Sequence, residues 1–203
     1  MKTFISIGGV EIPLTESQTE QIRAAFAAEP RRRIADVPVG EIFKIDCYEF
    51  VVLEQIPGQT AVILKDILEK AVFGSNNRLP GSKADELCCE FAEAVADLVG
   101  YDGIVEHEVD LTSDDGLKDY GSVQRLASPL TAEQYRKYVD VLDRHKPGAW
   151  WWLATPFSTE KHGDDRYVKC DSPSGFLYSS HCNTYDYGVR PFLILKSDIF
   201  VSG

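Results

Sequence analysis

Five cysteines (Cys47, Cys88, Cys89, Cys170 and Cys182) and four histidines (His107, His145, His162 and His181) hold most of the intrinsic reactivity of this sequence. A cysteine or serine nucleophile needs a base within hydrogen-bond reach. His181 and Cys182 are adjacent, so on a strand their side chains point to opposite faces. The sequence has no G-x-S-x-G elbow. It also lacks a C-x-x-C pair and an H-E-x-x-H helix, and its histidines are scattered, so no metal is expected. The run Asp110-Leu-Thr-Ser-Asp114-Asp-Gly116 approaches a calcium loop. Its glycine sits one place late, and Gly121 stands where a bidentate glutamate is required. Glycine-rich nucleotide fingerprints are absent, and no cofactor is expected. The residue types point to a protein that is not an enzyme.

Recognition chemistry is better supplied. Tyr178, His181, Asn183, Tyr185, Asp186 and Tyr187 gather within one short stretch near the C-terminus. Tyrosine offers contact area at little entropic cost, and asparagine offers adaptable hydrogen bonds, so this stretch is the candidate binding edge. Arg190 follows it in an apolar final segment. A buried guanidinium needs a carboxylate or several carbonyls, and an accessible one could contact an anion.

The elements that must position these residues follow from periodicity. Phe4 to Ile7 and Val10 to Leu14 flank Gly8-Gly9, which suits a two-residue hairpin turn. Thr15 with Gln18 forms a capping box for a helix with Ile22, Ala25 and Phe26 on one face, closed by Pro30. Residues 1–30 therefore read as a small hairpin-helix unit, 31–40 as a linker and 41–203 as the main domain. Within it, Ile42 to Ile45, Tyr48 to Glu54 and Thr60 to Leu64 form a meander turning at Pro57-Gly58. Ser82 caps a long helix with Leu87, Phe91, Val95 and Leu98 facing the core, and Gly100 stops it. Glu106 to Gly121 reads as an acidic, turn-rich loop. Thr131 with Gln134 makes a second capping box, Leu130 and Tyr135 a hydrophobic staple, and the helix runs to about Asp143. Ala149 to Ala154, Tyr167 to Cys170, Phe176 to Ser179 and Val189 to Leu195 then read as strands.

In the first of these strands Trp150 and Trp152 must face one side and Trp151 and Leu153 the other. Both faces need cover, so the strand is expected to be central. The formal net charge of -11 disfavours nucleic acid as a direct partner, because phosphate contacts need clustered Lys and Arg. The same acidity suits a partner with a basic groove. No stretch has the apolar length of a membrane span. The apolar run at Phe4 to Ile7 is short for a signal-peptide core, and the odd cysteine count suits reduced thiols, so a cytoplasmic location is expected.

Trp150-Trp-Trp152-Leu153-Ala-Thr155-Pro156, followed after a variable hairpin by Gly188-Val189-Arg190-Pro191-Phe192, resembles the WWLRSP…GVRP pattern of a domain family of uncharacterised role. That family is common in gut Firmicutes and their prophages. Gly40 to Leu64 and Ser128 to Tyr135 resemble its earlier blocks, so the likeness spans roughly Val39 to Leu195. It marks Trp150, Trp151, Trp152, Pro156, Gly188 and Pro191 as structural positions. It implies an α+β, C-type-lectin-like domain with a mixed, mainly antiparallel sheet and two flanking helices, distantly similar to formylglycine-generating, sulfatase-modifying enzymes. Ala154-Thr155 depart from the family's Arg-Ser.

The residues together point to a non-enzymatic binding protein of the cytoplasm that presents its C-terminal edge to a protein or glycan, and the resemblance implies that it is prophage-encoded. The alternatives are a divergent enzyme of the sulfatase-modifying type using Cys170 or Cys182, and an acidic inhibitor of a host defence nuclease that mimics nucleic acid.

Overall fold

The computed structural model describes residues 3–7, 10–19 and 32–202 and divides the chain into two compact units, Met1–Arg31 and Arg32–Gly203. In the first unit β1 (Thr3–Ile7) pairs antiparallel with β2 (Val10–Leu14), with Ile7 opposite Val10. The Thr15 hydroxyl then accepts from the Gln18 N–H at 3.2 Å, and the Gln18 side chain accepts from the Thr15 N–H at 2.9 Å. That reciprocal pair is a capping box. The Gly8-Gly9 turn, the apolar positions Ile22, Ala25 and Phe26, and Pro30 lie outside the described residues.

The second unit is mixed α+β, with mostly antiparallel sheets. Its strands are β3 (Arg32–Arg33), β4 (Ile42–Ile45), β5 (Tyr48–Ile56), β6 (Gln59–Leu64), β7 (Glu69–Lys70), β8 (Ile104–Val105), β9 (His107–Asp110), β10 (Ser122–Arg125), β11 (Ala127–Ser128), β12 (Trp151–Pro156), β13 (Tyr167–Asp171), β14 (Leu177–His181), β15 (Gly188–Val189), β16 (Phe192–Lys196) and β17 (Phe200–Val201). Helix α1 spans Lys83–Val99 and helix α2 spans Ala132–Leu142. Of its two larger sheets one runs β11-β16-β6-β5-β4, with β8 also on β16, and the other runs β14-β13-β12-β15-β7; β9 with β10 and β3 with β17 form two-stranded sheets.

Strand alternation splits the core in two. Phe50, Val52, Val62, Leu193 and Leu195 pack with Phe91 and Val95 of α1, whereas Val51, Leu53, Ile63 and Phe192 pack with Tyr135 and Tyr138 of α2. The caps work as the sequence suggests: the Ser82 hydroxyl accepts from the Asp85 N–H, and Thr131 and Gln134 form a complete capping box.

Several expectations are corrected. The linker read at 31–40 is, over 32–40, part of the packed unit: Ile34 and Val37 are buried, and Gln55 donates to both of their carbonyls. The burial of these two apolar side chains outweighs the local Pro and Arg content. Leu98 is 45% exposed, because the core-facing side of α1 runs through Val95, Ala96 and Val99 and leaves Leu98 off it. The acidic stretch 106–121 opens with a strand, β9, whose Val109 is buried and whose partner is β10. The last expected strand is two: β15 and β16 belong to different sheets, with Arg190-Pro191 between them. Proline has no N–H for a ladder, so the break falls there.

Buried polar residues fix the loops. The Asn77 side-chain amide donates to the carbonyls of Ser158 and Tyr167 at 3.0 and 3.1 Å, and its oxygen accepts from the Tyr120 hydroxyl at 3.0 Å. His107 is buried edge-on to Phe192, with Nε2 3.0 Å from the Ser128 hydroxyl and no side-chain hydrogen bond at Nδ1. Burial lowers its pKa from 6.5 to about 4.

Between those two values the unfolded chain takes up a proton that the native chain refuses, so stability falls as pH drops through this window and levels off below it. His107→Gln should flatten that slope. In urea denaturation from pH 7 to 4, the native chain should lose up to ~3 kcal/mol more than the variant; equal losses would show that His107 is not the group responsible.

Candidate functional site

The tryptophan strand lies at the centre of its sheet, and each indole has a separate task. Trp151 pairs in parallel with Gly188, and the Gly188 N–H donates to the Trp150 carbonyl at 2.8 Å, so the tryptophan run and the Gly-Val-Arg-Pro segment are neighbours. A methyl group on Gly188 would collide with the Ile67 side chain, which is why glycine stands there. Trp152 points into the α1-side core, edge-on to Phe73, and donates to the Ala71 carbonyl at 2.9 Å. Trp151 points into the α2-side core.

Around Trp151 the interior is polar but almost fully bonded. Its indole N–H donates to Asp171 Oδ2 at 2.8 Å, and the Tyr135 hydroxyl lies 3.0 Å from Asp171 Oδ1. The Arg190 guanidinium sits 5.3 Å from the Trp151 ring centre, a cation–π distance. Arg190 donates through Nε to the Leu64 carbonyl at 2.8 Å and through one terminal nitrogen to the carbonyls of Lys65 and His145 at 2.9 and 3.0 Å. Burial raises the Asp171 pKa against the opposing effect of its hydrogen bonds, and burial lowers that of Arg190 to about 10, still charged at neutral pH. Arg190 has 0% exposure, so it stands apart from the surface residues with which it was grouped as a binding candidate. Its ligands are loop carbonyls.

Of the remaining candidates, Tyr178 and Tyr187 come together on Trp150. Tyr178 meets the indole edge-on at 5.3 Å and Tyr187 stacks on it at 5.2 Å. His181 turns to the opposite face of the hairpin, against Tyr167 at 5.5 Å. Asn183, Tyr185 and Asp186 are exposed on the loop that leaves β14, and Tyr185 is 78% exposed. This loop is held at both ends: Phe73 N–H donates to the Cys182 carbonyl at 2.8 Å, and Ala71 N–H to the Tyr187 carbonyl at 2.9 Å. The result is a partly exposed aromatic group built from Trp150 before β12, Tyr178 of β14 and Tyr187 of this anchored loop. No protein-family model, curated protein or solved structure matches the chain.

Two further positions bear on chemistry. Cys170 lies opposite Tyr178, and the Cys182 N–H bonds to the Arg166 carbonyl, so the two cysteines sit four residues apart along the ladder. At ~3.3 Å per residue that is roughly 13 Å, beyond the reach of a disulfide. Both are buried, and burial pushes the Cys170 thiol up to about 12 and raises that of Cys182.

Where the resembling family has Arg-Ser, Ala154 is buried in the core and the Thr155 hydroxyl accepts from the Ala132 N–H at 2.8 Å, satisfying a donor in the first turn of α2. In the acidic loop Asp110 is bonded to Thr112, Asp114 pairs with Arg136 and Lys169, and Asp115 is bonded to Ser113 and Ser158. These three carboxylates are thus committed to contacts within the fold. Among the described residues no group of three or more His, Cys, Asp or Glu is placed to hold a metal, and no helix is long and apolar enough to cross a membrane.

The sequence missed the edge aromatics Tyr167 and Phe176, 39% and 63% exposed, and the buried Asp171. Asp171 reads locally as a turn residue, and only the tertiary position of Trp151 reveals its task.

Arg190→Lys should destabilise the fold by ~3 kcal/mol or more, since a point charge cannot satisfy three carbonyls on two separate segments, 64–65 and 145, and leaves acceptors buried unpaired. Guanidinium denaturation at unchanged m-value is the measurement. A loss under ~1 kcal/mol would mean those bonds carry little of the stability.

Proposed function

We propose that this chain is a non-enzymatic binding module of the C-type-lectin-like kind, prophage-encoded, that recognises a protein or glycan through its C-terminal loops. The observation that carries this reading is the Trp150, Tyr178 and Tyr187 group, with Tyr187 and the exposed Tyr185 on a loop tied to the 71–74 segment. Rings held rigidly before contact lose little entropy on binding, and rigid aromatic anchors dominate interface energetics. Asn183 and Asp186 supply exposed polar groups at the rim of the same loop.

The lectin-like assignment rests on the ordered residue blocks from Gly40 to Pro191, and the mixed, mostly antiparallel sheets with flanking helices agree with it. The separation and burial of Cys170 and Cys182 count against the sulfatase-modifying alternative.

One observation favours the acidic-mimic reading as second. Glu86, Glu90, Glu93 and Asp97 are exposed at helical spacing along one face of α1. Side chains so spaced stand ~5–6 Å apart, which makes a regular anionic row. A basic groove shaped for a nucleic-acid backbone could accept it.

The readings separate by mutation and salt. With partners presented on a glycan array and as host lysate, Tyr178→Ala with Tyr185→Ala should weaken capture about thirtyfold, the loss of ~2 kcal/mol expected of a tyrosine hot spot. Cys170→Ala with Cys182→Ala should leave capture intact. Under the second reading the tyrosine variant binds normally, Glu90→Lys with Glu93→Lys abolishes capture, and capture falls steeply between 50 and 300 mM salt. Capture insensitive to both sets of changes would remove both readings.

A further inference from the structure

Strand β14 differs from the other sheet edges. At the far side of its own sheet β7 is two residues long, Glu69–Lys70, both charged and exposed. The outer strand of the other sheet, β4, has Lys44 bridged to Ser202. Short edges, charges and covering segments are the usual means of preventing edge-to-edge pairing. Strand β14 reads Leu-Tyr-Ser-Ser-His, with no charged residue, no proline and no register shift against β13.

Its open hydrogen-bonding positions are set by the ladder. The Cys182 N–H donates to the Arg166 carbonyl and the Ser172 N–H to the Phe176 carbonyl, so the bonded pairs are 166/182, 168/180, 170/178 and 172/176. Alternation then directs the backbone groups of Leu177, Ser179 and His181 away from the sheet. Among the described residues the only partner recorded for these groups is the Thr184 N–H, at 2.9 Å from the His181 carbonyl, and that oxygen keeps a second lone pair. Exposed aromatic side chains crowd the same border: Tyr167, Phe176, Tyr178 and Tyr185.

We propose that β14 is the seam of a two-fold homodimer in which two copies pair antiparallel, edge to edge, about Ser179. In that register Leu177 meets His181 of the second copy and Ser179 meets Ser179, so the outward donors and acceptors from Leu177 to His181 all find partners. Tyr178 falls opposite Ser180, large against small, on the face that carries the Trp150 group. A copy of the same strand satisfies this pattern without placing any charge in the seam. The pairing is isologous and closed, so it ends at two chains. Each copy carries a net charge of -11, so the halves repel at long range and the dimer strengthens as salt is raised. A contact made by the acidic face of α1 responds in the opposite sense.

Sedimentation equilibrium over a wide concentration range tests this directly. The native chain should pass from the mass of one chain to that of two. Ser179→Pro deletes an outward N–H and leaves the β13 ladder whole, so with an unchanged circular dichroism spectrum it should shift dimerisation at least ~tenfold to higher concentration. Ser179→Lys and Ser179→Glu each place like charges face to face at the two-fold axis and should shift it similarly. An equimolar mixture of those two variants should recover the dimer, and this arm carries the test if the proline variant fails to fold. A single-chain mass at every concentration overturns the proposal, including the case where a foreign strand occupies the edge instead. So does a dimer indifferent to the Ser179 changes, or a Lys/Glu mixture that stays apart.

Discussion

A guanidinium with 0% exposure is costly unless its donors are bonded, and Arg190 resolves that cost in a way that orders much of the main unit. Its bonds reach Leu64 and Lys65, where β6 ends, and His145 beyond α2, while its charge lies against Trp151 of the second sheet. Pro191 follows and ends the β15 ladder, so the chain crosses from one sheet to the other at the point where the guanidinium ties both together. The Leu64 N–H in turn donates to the Pro191 carbonyl at 2.9 Å. Displacing any one of these segments would leave a buried polar group without a partner.

That junction determines what the tryptophan strand can present. With β15 pinned beside β12, Trp151 is committed to Asp171 and Tyr135 in one core and Trp152 to Phe73 and Ala71 in the other. Only Trp150, at the end of the strand, retains a partly exposed ring, and it gathers Tyr178 and Tyr187 around itself. The surface aromatic group is therefore built outward from interior packing through Trp150. Arg190 and Asp171, remote from the surface, both contact Trp151, the next residue along the chain.

Much of this was legible locally. Caps at Ser82 and Thr131 and the meander from Ile42 to Leu64 depend on short-range patterns, and these appear as read. The two-sided burial of Trp151 and Trp152 follows from strand alternation alone. What was not legible depends on partners distant in sequence. Leu98 has helical spacing from Val95, yet the core takes Val99 in its place and leaves Leu98 exposed. Ile34 and Val37 sit among prolines and arginines, yet Gln55 and the 197–199 segment fix their backbone. Arg190 carries the same charge whether it binds a ligand or a loop, and only the positions of three carbonyls decide between them.

Native-state hydrogen exchange measures the central claim most directly, because protected protons report whether the junction opens separately from the rest of the fold. If the Arg190 crossing is the constraint described, the Trp151 indole N–H and the amides of Gly188 and Leu64 should exchange only through global unfolding, with the same denaturant dependence as the slowest amides of β5 and β6. Exchange of these three through a smaller, denaturant-independent opening, while β5 and β6 stay protected, would contradict the account.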